Sequence, residues 1–167
     1  MSTLLADLRA KQALYQENGG HCSLLRAIFT DGTSAVALYR LQRLAMRWRL
    51  APVAMMAQLL NKWLNGCLIG LDADFGPGFV LVHPIGTIIN SGVRGGCNVR
   101  LQSGVVVGEN RGRCPRLGDD ILVGSGAKLF GSISVGDRAR IGANAVVTHD
   151  VAAGDTVVGI PARSLRR

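Results

Sequence analysis

The stretch VGSGAKLFGSISVGDRARIGANAVV, residues 123–147, places Val123, Leu129, Val135, Ile141 and Val147 at intervals of six. Six matches neither the 3.6 period of a helix nor the 2 of a strand. Carried upstream in the same frame, the first positions are Phe75, Leu81, Thr87, Val93, Val99, Val105, Arg111 and Leu117. Only Thr87 and Arg111 of the thirteen are not bulky and apolar, and Ile69 extends the frame one unit back. A hexad repeat of this kind predicts a β-solenoid in which each unit supplies one short strand and a corner, and three units, about 18 residues, close a triangular coil. The bulky residue points inward and stacks on its equivalent in the next coil. Glycine at the second position suits a tight corner. Each buried aliphatic contributes roughly 1.5–3 kcal/mol, so a stack of them needs few aromatic side chains.

The composition agrees with thin aliphatic layers. Of 167 residues, 48% are apolar, 5% are aromatic and 22 are glycine. That much aliphatic surface excludes a disordered chain, and Cys22, Cys67, Cys97 and Cys114 are too irregularly spaced for a disulfide framework, so free thiols in a reducing compartment are expected. No secretory signal opens the sequence. The uncharged run 75–93 holds Pro77 and Pro84, and the run 50–61 is too short to span a bilayer. A cytoplasmic protein is the expectation. Its net charge of +8 is concentrated in residues 1–66, with eight basic and three acidic side chains, and in Arg163, Arg166 and Arg167. Without a recognition motif or interleaved aromatics, that excess does not point to nucleic acid; a phosphate-bearing small ligand or an anionic membrane surface fits it better.

Residues 1–66 read as helices and 67–167 as the solenoid with a short tail. Ser2 is placed to cap a first helix that 18–20 (Asn-Gly-Gly) ends, and a second apolar stretch begins near Ser23. A helix over 34–50 would bury Val36, Leu38, Tyr39, Leu41, Leu44, Ala45 and Trp48, with Arg40, Arg43, Arg47 and Arg49 on a solvated opposite face. Pro52 opens another helix that Asn65-Gly66 stops.

GFVLVHPIGTIIN (78–90), the 123–147 stretch and the closing VVGIPAR (157–163) resemble the left-handed β-helix hexapeptide acyltransferases, in the branch of serine acetyltransferase and the colanic-acid-type polysaccharide acetyltransferases. The resemblance covers about 66–163, and implies a mainly β, left-handed parallel β-helix after a helical region, a homotrimer able to pair into a dimer of trimers, and acetyl-CoA bound between subunits. It gives His83 the role of general base, which suits an imidazole titrating near neutrality. It implies cofactor contacts at Gly108, Glu109, Ser125, Gly126 and Ala143. Lys128, Arg163, Arg166 and Arg167 are candidates for the cofactor phosphates. By spacing, Val107, Ser125 and Ala143 would stack on successive coils, and their amides would line the pantetheine arm. His21 and His149 read as surface residues, and three histidines so scattered do not suggest a metal.

Against the serine enzymes there are departures. Val82 stands where they have Asp before the histidine, and Leu68 where they have the carboxylate that orients it. Asp72, Asp74 or Asn65 are the candidate replacements. The hexad RGRCPR breaks the frame, so 109–116 should bulge as a shortened acceptor loop, with Arg113-Cys114 in place of an Arg-His pair that holds substrate; Cys114 as a nucleophile is the weaker alternative. These losses point to acetyl transfer onto a sugar hydroxyl in surface polysaccharide assembly, with the basic helix 34–50 near a membrane. Serine O-acetylation and a non-catalytic trimeric scaffold are the alternatives.

Overall fold

The computed structural model describes residues 3–17, 19–20 and 23–165. Ser2, Asn18, His21, Cys22, Arg166 and Arg167, which entered the reading above, lie outside them. Among the described residues four helices come first: α1 (Thr3–Glu17), α2 (Leu24–Ile28), α3 (Thr33–Arg47) and α4 (Ala51–Asn65). Ser23 caps α2, its hydroxyl accepting the Arg26 amide at 3.1 Å. Pro52 sits in the first turn of α4, and Gly66 ends that helix at φ +60°.

Fifteen strands of two or three residues follow among the described residues, wound into three sheets around one apolar axis. The first sheet stacks β1 (Leu68–Ile69), β4 (Ile88–Ile89), β7 (Val106–Gly108), β10 (Lys128–Phe130) and β13 (Val146–Val147). The second stacks β2 (Asp74–Phe75), β5 (Arg94–Gly95), β8 (Arg116–Leu117) and β11 (Ser134–Val135). The third stacks β3 (Val80–Leu81), β6 (Arg100–Leu101), β9 (Leu122–Val123), β12 (Arg140–Ile141) and β14 (Thr156–Val158), closed by β15 (Arg163–Ser164). All pairs are parallel except β14 with β15. The predicted solenoid is therefore present, with about four coils.

The register differs from the single hexad frame in an instructive way. Ile88 pairs with Val106 and Lys128 with Val146, both 18 apart, but Val80 pairs with Arg100, 20 apart, and Leu101 with Val123, 22 apart. Two residues are inserted between Leu81 and Ile89, at the corner that carries His83, and four more between Val107 and Leu117. Two and four sum to six, so a frame lost at His83 is recovered at Leu117. Between the insertions the inward first position falls on Ile89, Leu101 and Val107, while Thr87, Val93, Val99 and Val105 fill the second inward column, all buried.

The glycines also divide differently from expectation. At the second position they allow close approach: a Cβ on Gly124 would lie 2.7 Å from the Ala143 amide nitrogen of the next coil. The left-handed corner conformation belongs two residues later, as at Gly126, φ +73°.

The seam between helices and solenoid is partly polar. Tyr39 packs edge-on against Phe79 (5.5 Å between ring centres) and accepts the Phe75 amide. Arg40 was expected on a solvated face; instead it is largely buried, bonding Asp7 at 2.8 Å and the carbonyls of Phe75 and Gly76. Arg43 pairs with Asp74 at 3.1 Å. Leu41, Leu44 and Trp48, expected inside, are exposed. The reason is that α3 meets strand ends, where free carbonyls reward donors such as Arg40 and Gln42, rather than an apolar sheet face.

Candidate active site

The corner between the third and first sheets forms a ridge along the solenoid. His83 stands at its start, in the two-residue insertion, at φ +51° with its side chain 71% exposed, and Ile85, Ser103, Ser125 and Ala143 stack beside it on successive coils. Their alignment is fixed by corner hydrogen bonds, the Gly126 amide to the Ser103 carbonyl and the Asn144 amide to the Ser125 carbonyl, each 2.8 Å. The Gln102 side-chain oxygen, Oε1, accepts both the amide and the hydroxyl of Ser125 at 3.0 Å. Lys128 leaves the same ridge and donates to the Gly104 carbonyl at 2.7 Å.

The partner of His83 is none of the residues expected. Asp74 is committed to Arg43, Asn65 bonds Ser34 and Asn61, and exposed Asp72 receives Arg94 only through its carbonyl. The contact comes from the helical region: Asp31 Oδ2 lies 2.7 Å from His83 Nδ1. Asp31 occupies the turn between α2 and α3, 52 residues away in sequence. An ionised carboxylate only accepts, so Nδ1 carries a proton in this contact, and in the neutral ring the lone pair falls on Nε2. A sequence reading had one available signal, the Asp31-Gly32-Thr33 break, but nothing in it places that turn against a solenoid corner.

The other candidates fall elsewhere. Val107 is not on the ridge; the four-residue insertion turns it inward opposite Leu129, and Ser103 takes its place above Ser125. Gly108 pairs with Phe130 at the far end of the first sheet, with Glu109 exposed beyond it. The bulge predicted over 109–116 is a tight turn, closed by reciprocal backbone bonds between Asn110 and Arg113 and by the Glu109 carboxylate on the Gly112 amide. Arg113 is exposed, and Cys114 sits half-buried over Gly92, 3.4 Å from the Asn90 side-chain oxygen. Burial, then the Glu109 charge, push the Cys114 thiol up from its ordinary value, which opposes a nucleophilic role. Within one chain these four residues and His83 occupy opposite corners. Arg163 lies exposed in β15, its guanidinium turned back to the Ala162 carbonyl. His149 is exposed. Among the described residues no group of three His, Cys, Asp or Glu side chains could hold a metal, and no helix is long and apolar enough to cross a membrane.

A triangular solenoid with one histidine on an amide-lined corner defines the class of hexapeptide-repeat, left-handed β-helix acyltransferases. No family model matches the chain. It is 36% identical over 140 residues to a serine acetyltransferase of Helicobacter pylori, covering 81% of this chain and 82% of that protein. The crystal structure of Neisseria gonorrhoeae serine acetyltransferase superposes with a TM-score of 0.89 at 28% identity, over 99% of this chain and 65% of that one. A serine acetyltransferase in complex with CoA gives 0.89 at 25% identity, over 98% and 68%. The chain belongs to the serine acetyltransferase family and is an acyltransferase.

Proposed function

We propose that the protein transfers acetyl from acetyl-CoA to the hydroxyl of L-serine, with His83 as general base. The arrangement that carries this is the Asp31–His83 contact, which leaves Nε2 open beside a row of backbone amides. Nε2 would take the proton of the acceptor hydroxyl as its oxygen attacks the thioester carbonyl. The C–S bond then breaks, the thiolate of CoA leaves with the proton returned from the imidazolium, and an ester remains. The amides of Ser103, Ser125 and Ala143, with Gly126, would bed the pantetheine arm once Gln102 swings off Ser125. Lys128, which leaves that ridge, and Arg163 would supply cations for the cofactor phosphates.

The relatives favour serine over a sugar, the acceptor that the sequence departures had suggested; nothing in the comparisons supports polysaccharide assembly. The missing histidine-orienting carboxylate at Leu68 ceases to weigh against serine, because Asp31 does its work from another element. Cys114 where a substrate histidine was expected remains a real difference, and it makes the sugar panel the informative control.

Gly108, Glu109, Arg113 and Cys114 would complete the site from a neighbouring subunit, since within one chain they stand at the corner opposite His83. The homotrimer this requires has a surface to close over: Met55, Leu59, Leu68 and Ile88 form a continuous exposed apolar face, with a groove of about 530 Å³ beside Met55 and another of about 300 Å³ beside Ile88.

Thiol release from acetyl-CoA, measured with L-serine against a panel of sugars, tests the reading. Release with L-serine, lowered about 10²- to 10⁴-fold by His83→Ala, is the expected result. Turnover with a sugar alone would return the acceptor to the polysaccharide class, and full activity in His83→Ala with tight acetyl-CoA binding would remove the base. Failure to bind acetyl-CoA at all would favour the scaffold.

A further inference from the structure

Helix α1 buries no large apolar side chain. Its two buried residues are Asp7 and Lys11, one turn apart on the same face and 3% and 4% exposed. Taking two charges out of water is costly, so their destinations matter. Asp7 accepts the amides of Gly78 and Phe79 at 2.8 and 2.9 Å, at the entry to β3, the strand that leads to the His83 corner. Lys11 donates to the Thr33 hydroxyl at 3.0 Å and to the carbonyls of Thr30 and Asp31. Both charges therefore hold the backbone on either side of the Asp31–His83 contact.

That contact needs such support. Both side chains are more than half exposed, and an exposed ion pair gains little in water and does not order a loop by itself. The turn is also fitted to the solenoid: Gly32 has φ +84°, and a Cβ there would lie 2.2 Å from the Leu81 carbonyl oxygen and 3.4 Å from Pro84, the residue after His83.

We propose that Lys11 is a positioning residue for catalysis: its buried ammonium clamps the 30–33 turn so that Asp31 holds the His83 ring in one tautomer and orientation. This rests on the reading of His83 as the base. It makes α1 part of the catalytic apparatus although no α1 side chain touches the reacting atoms.

The test uses the full-length chain with acetyl-CoA and L-serine, and nitrogen NMR of the histidine rings. Lys11→Met and Asp31→Asn should each lower kcat about 10- to 100-fold, the penalty for a reacting group displaced by about 1 Å, with KM changed less than about two-fold. The double variant should be no slower than Asp31→Asn alone. Lys11→Arg should recover part of the loss. The His83 nitrogen shifts should move from the Nδ1-protonated tautomer toward a mixture in Lys11→Met. Should Lys11→Met fail to fold, Thr33→Val removes one of its acceptors and should show a smaller loss of the same kind. Unchanged kcat and unchanged ring shifts in Lys11→Met, or losses that multiply in the double variant, would overturn the clamp. If His83→Ala is inactive while those losses multiply, only the clamp falls; if His83→Ala is fully active, the base falls first.

Discussion

The solenoid and the helical region invert each other's chemistry. Inside the solenoid, Leu101, Val123 and Ile141 stack in one buried column and Val107, Leu129 and Val147 in another, and ionic side chains such as Arg94, Arg116 and Arg140 project outward from the strands. In the helical region the buried positions include Asp7, Lys11, Gln42 and Asn61, and the outward faces carry Phe29 at 83% and Trp63 at 76% exposure. A repeat satisfies its own backbone and its own core, coil upon coil. The helices meet the solenoid at strand ends and turns, where unpaired amides and carbonyls call for charges, and they turn apolar surface outward as a molecule does when part of its core is supplied by another copy.

The largest effect should come from the polar side of that contrast. Asp7 makes four hydrogen bonds, to Arg40 and to the amides of Gly78 and Phe79. Asp7→Ala leaves a buried guanidinium without its carboxylate, a change that costs about 3–5 kcal/mol. Denaturant unfolding should register it, with hydrogen exchange accelerated first in α1. A neutral effect would mean that the half-buried leucines of α1, and not its charges, dock it.

On the apolar side, Leu101→Ala removes a fully buried rung and should cost about 2–5 kcal/mol, since neighbouring coils are locked by their ladders and collapse poorly into the cavity. Exchange should quicken in the strands stacked on β6, with α1 unaffected. Equal loosening of both regions would show that they unfold as one unit and that the contrast in chemistry has no counterpart in cooperativity.

What the sequence revealed follows the same division. The solenoid was legible because its physics is periodic, down to the hexad that breaks at the 109–113 turn. The misread ladder through Val107 arose because insertions of two and four residues restore the frame and so conceal themselves. Helix ends at Gly66 and Ser23 were legible because caps are local. The faces of α3 were not, since Arg40 and Gln42 are buried by carbonyls contributed from residues about 30 positions away. The Asp31–His83 pair lay out of reach for the same reason: no local pattern records which corner a turn docks on.

A third measurement probes the seam itself. Cys67 lies beneath α4 with its thiol pushed up from 9.0 to about 12 by burial, and Tyr39 is raised from 10.0, chiefly by burial. Both groups hold their protons more tightly folded than unfolded. Stability from these groups is therefore complete below pH 9 and declines above it as the unfolded chain ionises first, by about 1.4 kcal/mol per pH unit for each fully responding group. Urea unfolding at pH 8, 9, 10 and 11 should show the decline, and Cys67→Ala should flatten its first part. An unchanged slope in that variant would place water at the seam.

The smallest effect on a single chain should have the widest consequence. Met55 is 58% exposed on α4 and touches the groove that runs toward Leu68. Met55→Glu changes a mostly exposed position, so the folding free energy should change by less than about 0.5 kcal/mol. If a second copy covers this face, however, the new carboxylate must be desolvated against Leu59 and Leu68, with exposed Lys62, two helical turns away, as the groove's own cation, and assembly should weaken sharply. Sedimentation should then find trimers for the parent chain and monomers for Met55→Glu, with acetyl transfer lost alongside, because the corner carrying Arg113 and Cys114 no longer reaches the His83 of another subunit. Monomers in both would mean that the apolar helix face tolerates water and that the site is complete in one chain. Trimers in both would move the interface to another face of the prism.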